Sequence, residues 1–177
     1  MLRIVCFSLA VFCVVPLSIA DVQSAGEGGF EIRIETEVAG SPALAYSHFV
    51  DRIGDWWDDS HTYSQDSKNL LITAKPGGWW IEKLPGKGFV QHMEVLAVQP
   101  GEMIRFSGGL GPLQEMACDG ALTVRFREGS EAGTCRIELL YNVHGYADGG
   151  LTPLAAPVDG VLKEQLQRLK KSVEAEN

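Results

Sequence analysis

Glu82 and His92 are the two residues whose types and spacing best suit acid–base chemistry. They flank the segment 85–88, Pro-Gly-Lys-Gly, which favours a tight turn between two strands. If that turn pairs Glu82 with His92 on adjacent strands, their Cβ atoms lie about 5 Å apart. A carboxylate at that distance orients the imidazole and raises its pKa, which suits proton transfer on a carbonyl-containing ligand. The alternative is an ordinary cross-strand pair on the sheet surface.

The same pairing predicts an apolar wall on the opposite face of these strands. Over 77–111, Val, Ile, Phe and Trp alternate with other residues as they do in strands with one buried face. A second turn at 100–101 pairs Leu96 with Arg105 and extends the wall into a third strand. The predicted wall residues are Trp79, Ile81, Met93, Val95, Ala97, Ile104 and Phe106. If the apolar wall faces inward, we expect a protein that binds a ligand. If Glu82 and His92 face inward, an enzyme gains support.

Two further groups of residues could carry chemistry. Asp58, Asp59 and His61 bring metal-ligand types together, but their spacing matches no dedicated metal motif. Acidic residues also commonly end a helix, so helix termination is the simpler interpretation, and we expect no bound metal. His144 and Tyr146 follow the last predicted strand and could stand at the mouth of a cavity.

Other classes of site are not supported by the sequence. Residues 108–111, Gly-Gly-Leu-Gly, lie between predicted strands, without the helix N-terminus that a phosphate loop needs. No Ser-His-Asp order, Cys-His pair or Cys-x-x-Cys motif points to nucleophilic or redox catalysis. We therefore expect no cofactor.

The charge of the chain argues against two kinds of partner. The 177 residues carry a formal net charge of −8 at pH 7. An acidic surface repels nucleic acid and anionic membranes, so we expect neither as a partner.

Residues 1–20 have the layout of a secretory signal peptide. Arg3 precedes an apolar run, and Pro16 and small residues follow it up to a predicted cut after Ala20. The apolar run is shorter than the roughly 20 residues of a membrane span, and a retained N-terminal anchor is the alternative. We therefore expect a periplasmic or secreted protein, with no membrane span once the signal is removed.

Two of the four cysteines leave with this leader, and the other two are predicted to be free. Cys118 and Cys135 fall on adjacent predicted strands, which we pair with Leu122 opposite Leu139. The two cysteines then lie roughly 26 Å apart along the ladder at ~3.3 Å per residue. A disulfide needs Cα atoms within about 7 Å, so we predict two buried thiols.

The order of elements predicts an α+β domain over 30–177. After a flexible lead-in at 21–29, a first strand is followed by a helix with Ser41 as its N-cap. Five or six antiparallel strands then precede a C-terminal helix beginning near Pro157. A sheet with one apolar face needs a cover, and the C-terminal helix is the available one.

This order resembles the START/birch-allergen-like superfamily, also called SRPBCC or polyketide cyclase/dehydrase-like. The resemblance is carried by GG-W-W-I-E at 77–82, V-x-H-M-x-V at 90–95 and P-V-D-x-V-L at 157–162. It implies a helix-grip fold, a curved antiparallel sheet around a long C-terminal helix, with a deep cavity for hydrophobic molecules. One branch resembles the C-terminal domain of the heat-shock-protein ATPase activator, a cytosolic role that an exported chain would not fill.

We predict that a cavity between sheet and C-terminal helix holds a small hydrophobic molecule such as a lipid, polyketide or aromatic compound, in a monomer. Its predicted lining residues are Trp57, Trp79, Trp80, Ile81, Met93, Val95, Phe106, Leu113, Met116, Tyr141, His144, Val158 and Leu162. The alternative is a cyclase- or hydrolase-type enzyme that uses Glu82 and His92 in the same cavity. A protein-interaction module has little support beyond the net charge.

Overall fold

Alternating apolar and polar residues make Gly29–Ala39 a strand that is buried on one side. Phe30, Ile32 and Ile34 are at most 4% exposed, whereas Glu31 and Arg33 between them are half-buried. The computed structural model describes residues 20–176 and places this strand second in the sheet.

Within the described residues, eight antiparallel strands form one sheet in the spatial order β1-β2-β8-β7-β6-β5-β4-β3. The strands are β1 (Ala20–Gly26), β2 (Gly29–Ala39), β3 (Leu70–Ile72), β4 (Trp79–Lys83), β5 (Phe89–Gln99), β6 (Met103–Ser107), β7 (Asp119–Glu128) and β8 (Thr134–His144). The helices are α1 (Pro42–Asp51), α2 (Ile53–Trp56), α3 (Pro112–Glu115) and α4 (Thr152–Glu174). Short 3-10 turns cover Asp59–His61, Ser67–Asn69 and Pro85–Lys87.

Helix α4 covers the apolar face of the sheet and packs against β1 and β2. Its stripe of Leu162, Leu166, Leu169 and Val173 is at most 3% exposed. The predicted α+β helix-grip architecture is confirmed.

Helix α4 begins at Thr152, earlier than the predicted start near Pro157. Pro153 fits its first turn, where the missing N–H costs nothing. Leu154 and Ala155 pack against the core in helical conformation, which extends the helix ahead of Pro157.

Helix α1 begins as predicted, with the Ser41 hydroxyl accepting a hydrogen bond from the Leu44 N–H at 3.2 Å. The predicted single helix up to Trp57 is interrupted at Arg52, whose φ of −126° is not helical. The short α2 follows and ends at Trp56.

Residues 21–29 were expected to be a flexible lead-in, but the structure places most of them in β1. That strand pairs antiparallel with β2, and a two-residue turn at 27–28 joins the strands. Pairing with β2 satisfies the backbone N–H and C=O groups of this segment. Its polar, glycine-bearing side chains gave no sign of a strand. Residues 1–19 lie outside the described part of the chain, so the signal peptide stays a prediction.

The predicted pairing of Glu82 with His92 is wrong, because a β-bulge lies in the hairpin. Trp80 pairs with Met93, whereas Glu82 pairs with Val90. His92 is the extra residue of β5 between these pairs. A bulge disturbs the alternation of side chains, and His92 and Met93 are both buried.

The bulge also reverses the predicted faces of β4. Trp80 and Glu82 are 2% and 0% exposed, whereas Trp79 is 47% exposed. Ile81 shares the outer face with Trp79, because side chains two residues apart lie on the same side of a strand. The predictions that Trp79 and Ile81 line the cavity are therefore wrong.

A second bulge shifts the next hairpin. Ala97, not Leu96, pairs with Arg105, and Leu96 is 56% exposed. Ile104 and Phe106 are fully buried as predicted, whereas Ala97 is half-buried.

The two cysteines of the described chain are free and buried, as predicted. Cys118 precedes β7, and Cys135 pairs with Glu128 at the far end of that strand. The predicted β7–β8 register is shifted by two residues, since Leu122 faces Tyr141 and not Leu139. A shift by two keeps every side chain on its predicted face.

Candidate functional site

A partly open cavity of about 470 Å³ lies at one end of the fold. Its wall comes from β3, β4, β5, the first half of α4, a first loop at 57–63 and a second loop at 110–116 that contains the short α3. Its apolar wall residues are Trp57, Leu70, Trp80, Leu110, Pro112, Leu113, Met116, Leu154, Pro157, Val158, Val161 and Leu162. Its polar wall residues are Ser60, His61, Thr62, Tyr63, His92 and Glu115, and Gly111 completes the wall.

The cavity is displaced from the centre of the sheet because aromatic rings fill that centre. Phe49 stacks on Trp56 with ring centroids 5.6 Å apart, and Phe106 lies 6.4 Å from Phe49. A gap of about 10 Å³ remains between these rings and α4. The predictions that Met93, Val95 and Phe106 line the cavity are therefore wrong, since these residues are buried elsewhere in the core.

Trp57 and Trp80 form the floor between the aromatic core and the cavity. Their rings are perpendicular, with centroids 5.0 Å apart, and both line the cavity. The Trp57 indole N–H donates to the backbone oxygen of His61 at 3.0 Å, which holds the ring against the first loop. This arrangement presents rigid aromatic surface to an incoming molecule.

The first loop is shaped by its acidic residues. Asp58 Oδ1 accepts from the Ser60 N–H and Asp59 Oδ1 from the Ser67 N–H, both at 2.8 Å. The pKa of Asp58 lies below its ordinary range because the Ser60 hydroxyl and the Ser60 N–H both donate to it, and the pKa of Asp59 lies below its ordinary range because of the hydrogen bonds from Ser67. The interpretation of the acidic pair as structural fits these contacts. Within residues 20–176 no group of three or more His, Cys, Asp or Glu residues could hold a metal ion.

The second loop is held by Tyr141, which lies behind the cavity wall and does not line it. Its hydroxyl donates to the Gly108 carbonyl oxygen at 2.9 Å and accepts from the Leu110 N–H at 3.1 Å. Burial raises the pKa of Tyr141 well above its ordinary value. Gly108 and Gly111 have φ of +146° and +56°, which favour glycine.

Glu82 and His92 both point inward and contact each other. The Oε2 atom of Glu82 lies 3.1 Å from Nε2 of His92, and their side chains are 0% and 8% exposed. Glu82 also accepts from the Tyr63 N–H at 3.1 Å and from the Ser64 N–H. His92 lines the cavity, whereas Glu82 lies behind it.

Burial and hydrogen bonding act in opposite directions on this pair. Burial raises the pKa of Glu82, but the hydrogen bonds from Ser64, Tyr63 and His92 together lower it by more. The pKa of Glu82 therefore lies below its ordinary value. Burial lowers the pKa of His92, and the nearby Glu82 carboxylate only partly reverses that effect. At neutral pH the pair is therefore a carboxylate and a neutral imidazole.

Glu82 is suited to positioning and not to proton transfer. Its two oxygens accept hydrogen bonds from two backbone N–H groups and one ring nitrogen, and it is shielded from the cavity. His92 is the member of the pair that a ligand can touch, and a neutral imidazole can accept a proton or a hydrogen bond.

Seven of the residues predicted for the site stand on the cavity wall, and their contact with a ligand stays a prediction. They are Trp57, Trp80, His92, Leu113, Met116, Val158 and Leu162. The prediction for His144 is wrong, because it is exposed at the end of β8 and is not part of the wall, and Tyr146 is 80% exposed and also outside it.

Sequence reasoning missed several wall residues. Leu154 and Val161 lie three or four residues from Val158 on α4, a helical spacing that could have identified them. Tyr63 comes from the first loop and Glu115 from the end of the short helix α3, and both stand on the wall. Neither a loop nor a four-residue helix shows a periodic pattern, so the sequence offered no signal for these two residues.

Among the helices of residues 20–176, none is both long and apolar enough to cross a membrane.

Comparison with known proteins shows the fold. No protein-family model and no curated protein sequence matches the chain. CalU16 from Micromonospora echinospora is similar in structure, with a TM-score of 0.58 and 14% identity over 90% of this chain and 84% of that protein. EF2215 from Enterococcus faecalis gives a TM-score of 0.57 and 14% identity over 86% of this chain and 76% of that protein.

DynU16, a protein of the dynemicin biosynthetic locus, also shares the fold. Its TM-score is 0.58 at 15% identity, and the match covers 83% of this chain but 48% of DynU16. Identities this low establish a common architecture and no common activity.

Proposed function

We propose that this protein binds a small, largely apolar molecule in the cavity between its two loops, β4, β5 and α4. The observation that carries the proposal is a 470 Å³ space with a mainly apolar wall and one buried polar pair beside it. Binding sites for small molecules typically combine an apolar surface of this size with a few placed polar groups.

The wall favours a compact or planar molecule over a long chain. Trp57 and Trp80 supply flat aromatic surface at the floor, and Val158 and Leu162 supply aliphatic surface from α4. A volume of about 470 Å³ lies in the lower part of the range for ligand pockets. The fold shared with DynU16, from a biosynthetic locus, is compatible with work on a small organic molecule.

Binding of N-phenyl-1-naphthylamine, a neutral aromatic fluorophore, tests this proposal. We expect its fluorescence to rise on binding and its affinity to fall at least about 10-fold in Val158→Trp, because the larger ring occupies cavity space. Ala121→Trp is the matched control, since Ala121 is exposed on β7 and is not part of the cavity wall.

Equal affinity in Val158→Trp and the unmodified protein would contradict binding in the cavity. Circular dichroism and thermal unfolding of each variant establish that it is folded. A probe that binds none of the three proteins would remove the support for an apolar binding site.

We also propose that the protein works in the periplasm or outside the cell. The support is the leader-like pattern of residues 1–20. Intact mass of the protein recovered from the exported fraction should correspond to a chain beginning at Asp21. Recovery only with residues 1–20 attached, in the membrane fraction, would point to an anchor.

The inward-facing pair of Glu82 and His92 favours a second candidate, acid–base catalysis. His92 is neutral at physiological pH and can act as a base toward a carbon acid next to a carbonyl, while Glu82 orients the ring. The imidazolium formed would be stabilised by the Glu82 carboxylate at 3.1 Å.

Hydrogen–deuterium exchange of 2-tetralone in deuterium oxide tests this second candidate. If His92 is a base, the protein accelerates exchange at the carbon next to the carbonyl, and His92→Phe abolishes the acceleration. Exchange at the buffer rate, in a sample that binds 2-tetralone, would leave binding as the function.

A further inference from the structure

The two ring nitrogens of His92 have different roles. Its Nε2 atom lies 3.1 Å from Oε2 of Glu82, and that carboxylate can only accept hydrogen bonds. Nε2 must therefore carry the proton and donate it to Glu82. Two backbone N–H groups, those of Tyr63 and Ser64, hold the carboxylate in place.

A neutral ring with its proton on Nε2 has a lone pair on Nδ1. Within residues 20–176, His92 makes its hydrogen bond to Glu82 through Nε2, which leaves Nδ1 as the ring atom available to a ligand. The ring lines the cavity, and its side chain is 8% exposed. An acceptor that faces a mainly apolar cavity is best satisfied by a ligand group that donates a hydrogen bond.

The surroundings of this acceptor are unfavourable for an anion. No Lys or Arg is among the described wall residues, whereas Glu115 is one, and the Glu82 carboxylate lies directly behind His92. Like charges at short distance in a water-poor site repel strongly.

The first turn of α4 offers little compensation for an anion. Pro153 has no N–H, and the Leu154 N–H already donates to the Leu151 carbonyl oxygen at 3.0 Å. An anionic ligand would therefore lack the paired charge that its burial requires.

We propose that the cavity selects a neutral, hydroxyl-bearing apolar molecule whose O–H donates to Nδ1 of His92, and that it rejects the corresponding carboxylate. This inference rests on the proposed binding function and specifies the class of ligand.

Isothermal titration calorimetry with three matched naphthalenes at neutral pH tests the inference. The probes are 2-naphthol, which donates a hydrogen bond, 2-methoxynaphthalene, which cannot, and 2-naphthoate, which is an anion. We expect 2-naphthol to bind about 3- to 10-fold more tightly than 2-methoxynaphthalene, the value of one net hydrogen bond. We expect 2-naphthoate to bind more than about 10-fold more weakly than 2-naphthol.

His92→Phe should remove this preference while keeping ring volume. The ratio of affinities for 2-naphthol and 2-methoxynaphthalene should fall to about one, because both then meet an apolar ring. His144→Phe is the matched control, since His144 is exposed at the end of β8 and outside the wall.

Nitrogen-15 NMR of the unmodified, histidine-labelled protein keeps the test independent of any variant. The lone-pair nitrogen of His92 should shift on addition of 2-naphthol and not on addition of 2-methoxynaphthalene.

Each outcome is decisive. Equal binding of 2-naphthol and 2-methoxynaphthalene, tighter binding of 2-naphthoate, or an unchanged Nδ1 resonance would overturn the inference while leaving apolar binding intact. If none of the three probes nor N-phenyl-1-naphthylamine binds, the binding function itself fails, and the inference fails with it.

Discussion

His92 can serve as a neutral hydrogen-bonding group because burial outweighs the carboxylate beside it. An exposed histidine next to a glutamate would have a raised pKa, and that was the expectation from sequence. In the folded protein His92 is 7% exposed, and desolvation of its charged form lowers the pKa instead. The hydrogen bonds that the Tyr63 and Ser64 N–H groups donate to Glu82 keep it ionised.

The lowered pKa predicts that stability depends on pH. The folded pKa of both His92 and His48 lies below the ordinary value of 6.5, in each case chiefly through burial. The unfolded chain therefore binds protons that the folded chain excludes as pH falls below that value. Stability should be full above about pH 6.5 and fall by at most about 1.4 kcal/mol per pH unit for each ring, down to its folded pKa.

Urea unfolding at several pH values between 7.5 and 5 measures this slope. In His92→Phe the slope should become smaller, and the part due to His48 should remain. A free energy of unfolding that is constant or rises over this interval would contradict the assignment of neutral buried rings.

At the scale of elements, the site depends on how the first loop is fixed to the sheet. Glu82 in β4 accepts hydrogen bonds from the Tyr63 and Ser64 N–H groups, and Asp58 pairs with Arg168 of α4 at 2.9 Å. These contacts join the loop, β4 and α4, the three elements that enclose one side of the cavity. Glu82 thus positions both His92 and the loop.

Replacing Glu82 by Leu should release this loop. The Tyr63 and Ser64 N–H groups would lose their acceptor, so their amide hydrogens should exchange faster. We expect the protein to lose about 1–3 kcal/mol of stability for each donor left unsatisfied. Glu82→Gln should lose less, because its amide oxygen can still accept.

Hydrogen-exchange NMR measures this effect. Glu94→Leu is the control, because Glu94 is an exposed glutamate on the neighbouring β5. Unchanged exchange at Tyr63 and Ser64 in Glu82→Leu would show that the loop is held by other contacts.

Sequence patterns predict where the strands and helices of this protein lie better than they predict which residues pair between neighbouring strands. Alternation identified β2 and the inward faces of β7 and β8, and the Ser41 cap marked the start of α1. The bulge at His92 was not visible, because one extra residue changes register without changing composition.

The candidate site was predictable only in part for the same reason. The bulge brought His92 inward and moved Trp79 outward, so the pair Glu82 and His92 was found through a register that is wrong. Tyr63 reaches the wall from an irregular loop and Glu115 from the short α3, and the conformation of both segments depends on tertiary contacts such as those of Tyr141 and Glu82.

At the scale of the whole molecule, two apolar surfaces within residues 20–176 could hold an apolar ligand. One is the cavity at the end of the aromatic core, and the other is the outer face of β3, β4 and β5. The outer-face residues are Leu71, Trp79, Phe89 and Leu96, each at least 44% exposed. An apolar molecule could in principle adsorb to either surface, so affinity alone does not locate the site.

A crystal structure of the protein with N-phenyl-1-naphthylamine tests the central claim most directly. We expect the probe to lie in the cavity, in van der Waals contact with Trp57, Trp80 and Val158. A probe found only on the outer face, against Trp79 and Leu96, with the cavity filled by ordered water, would contradict the proposed function.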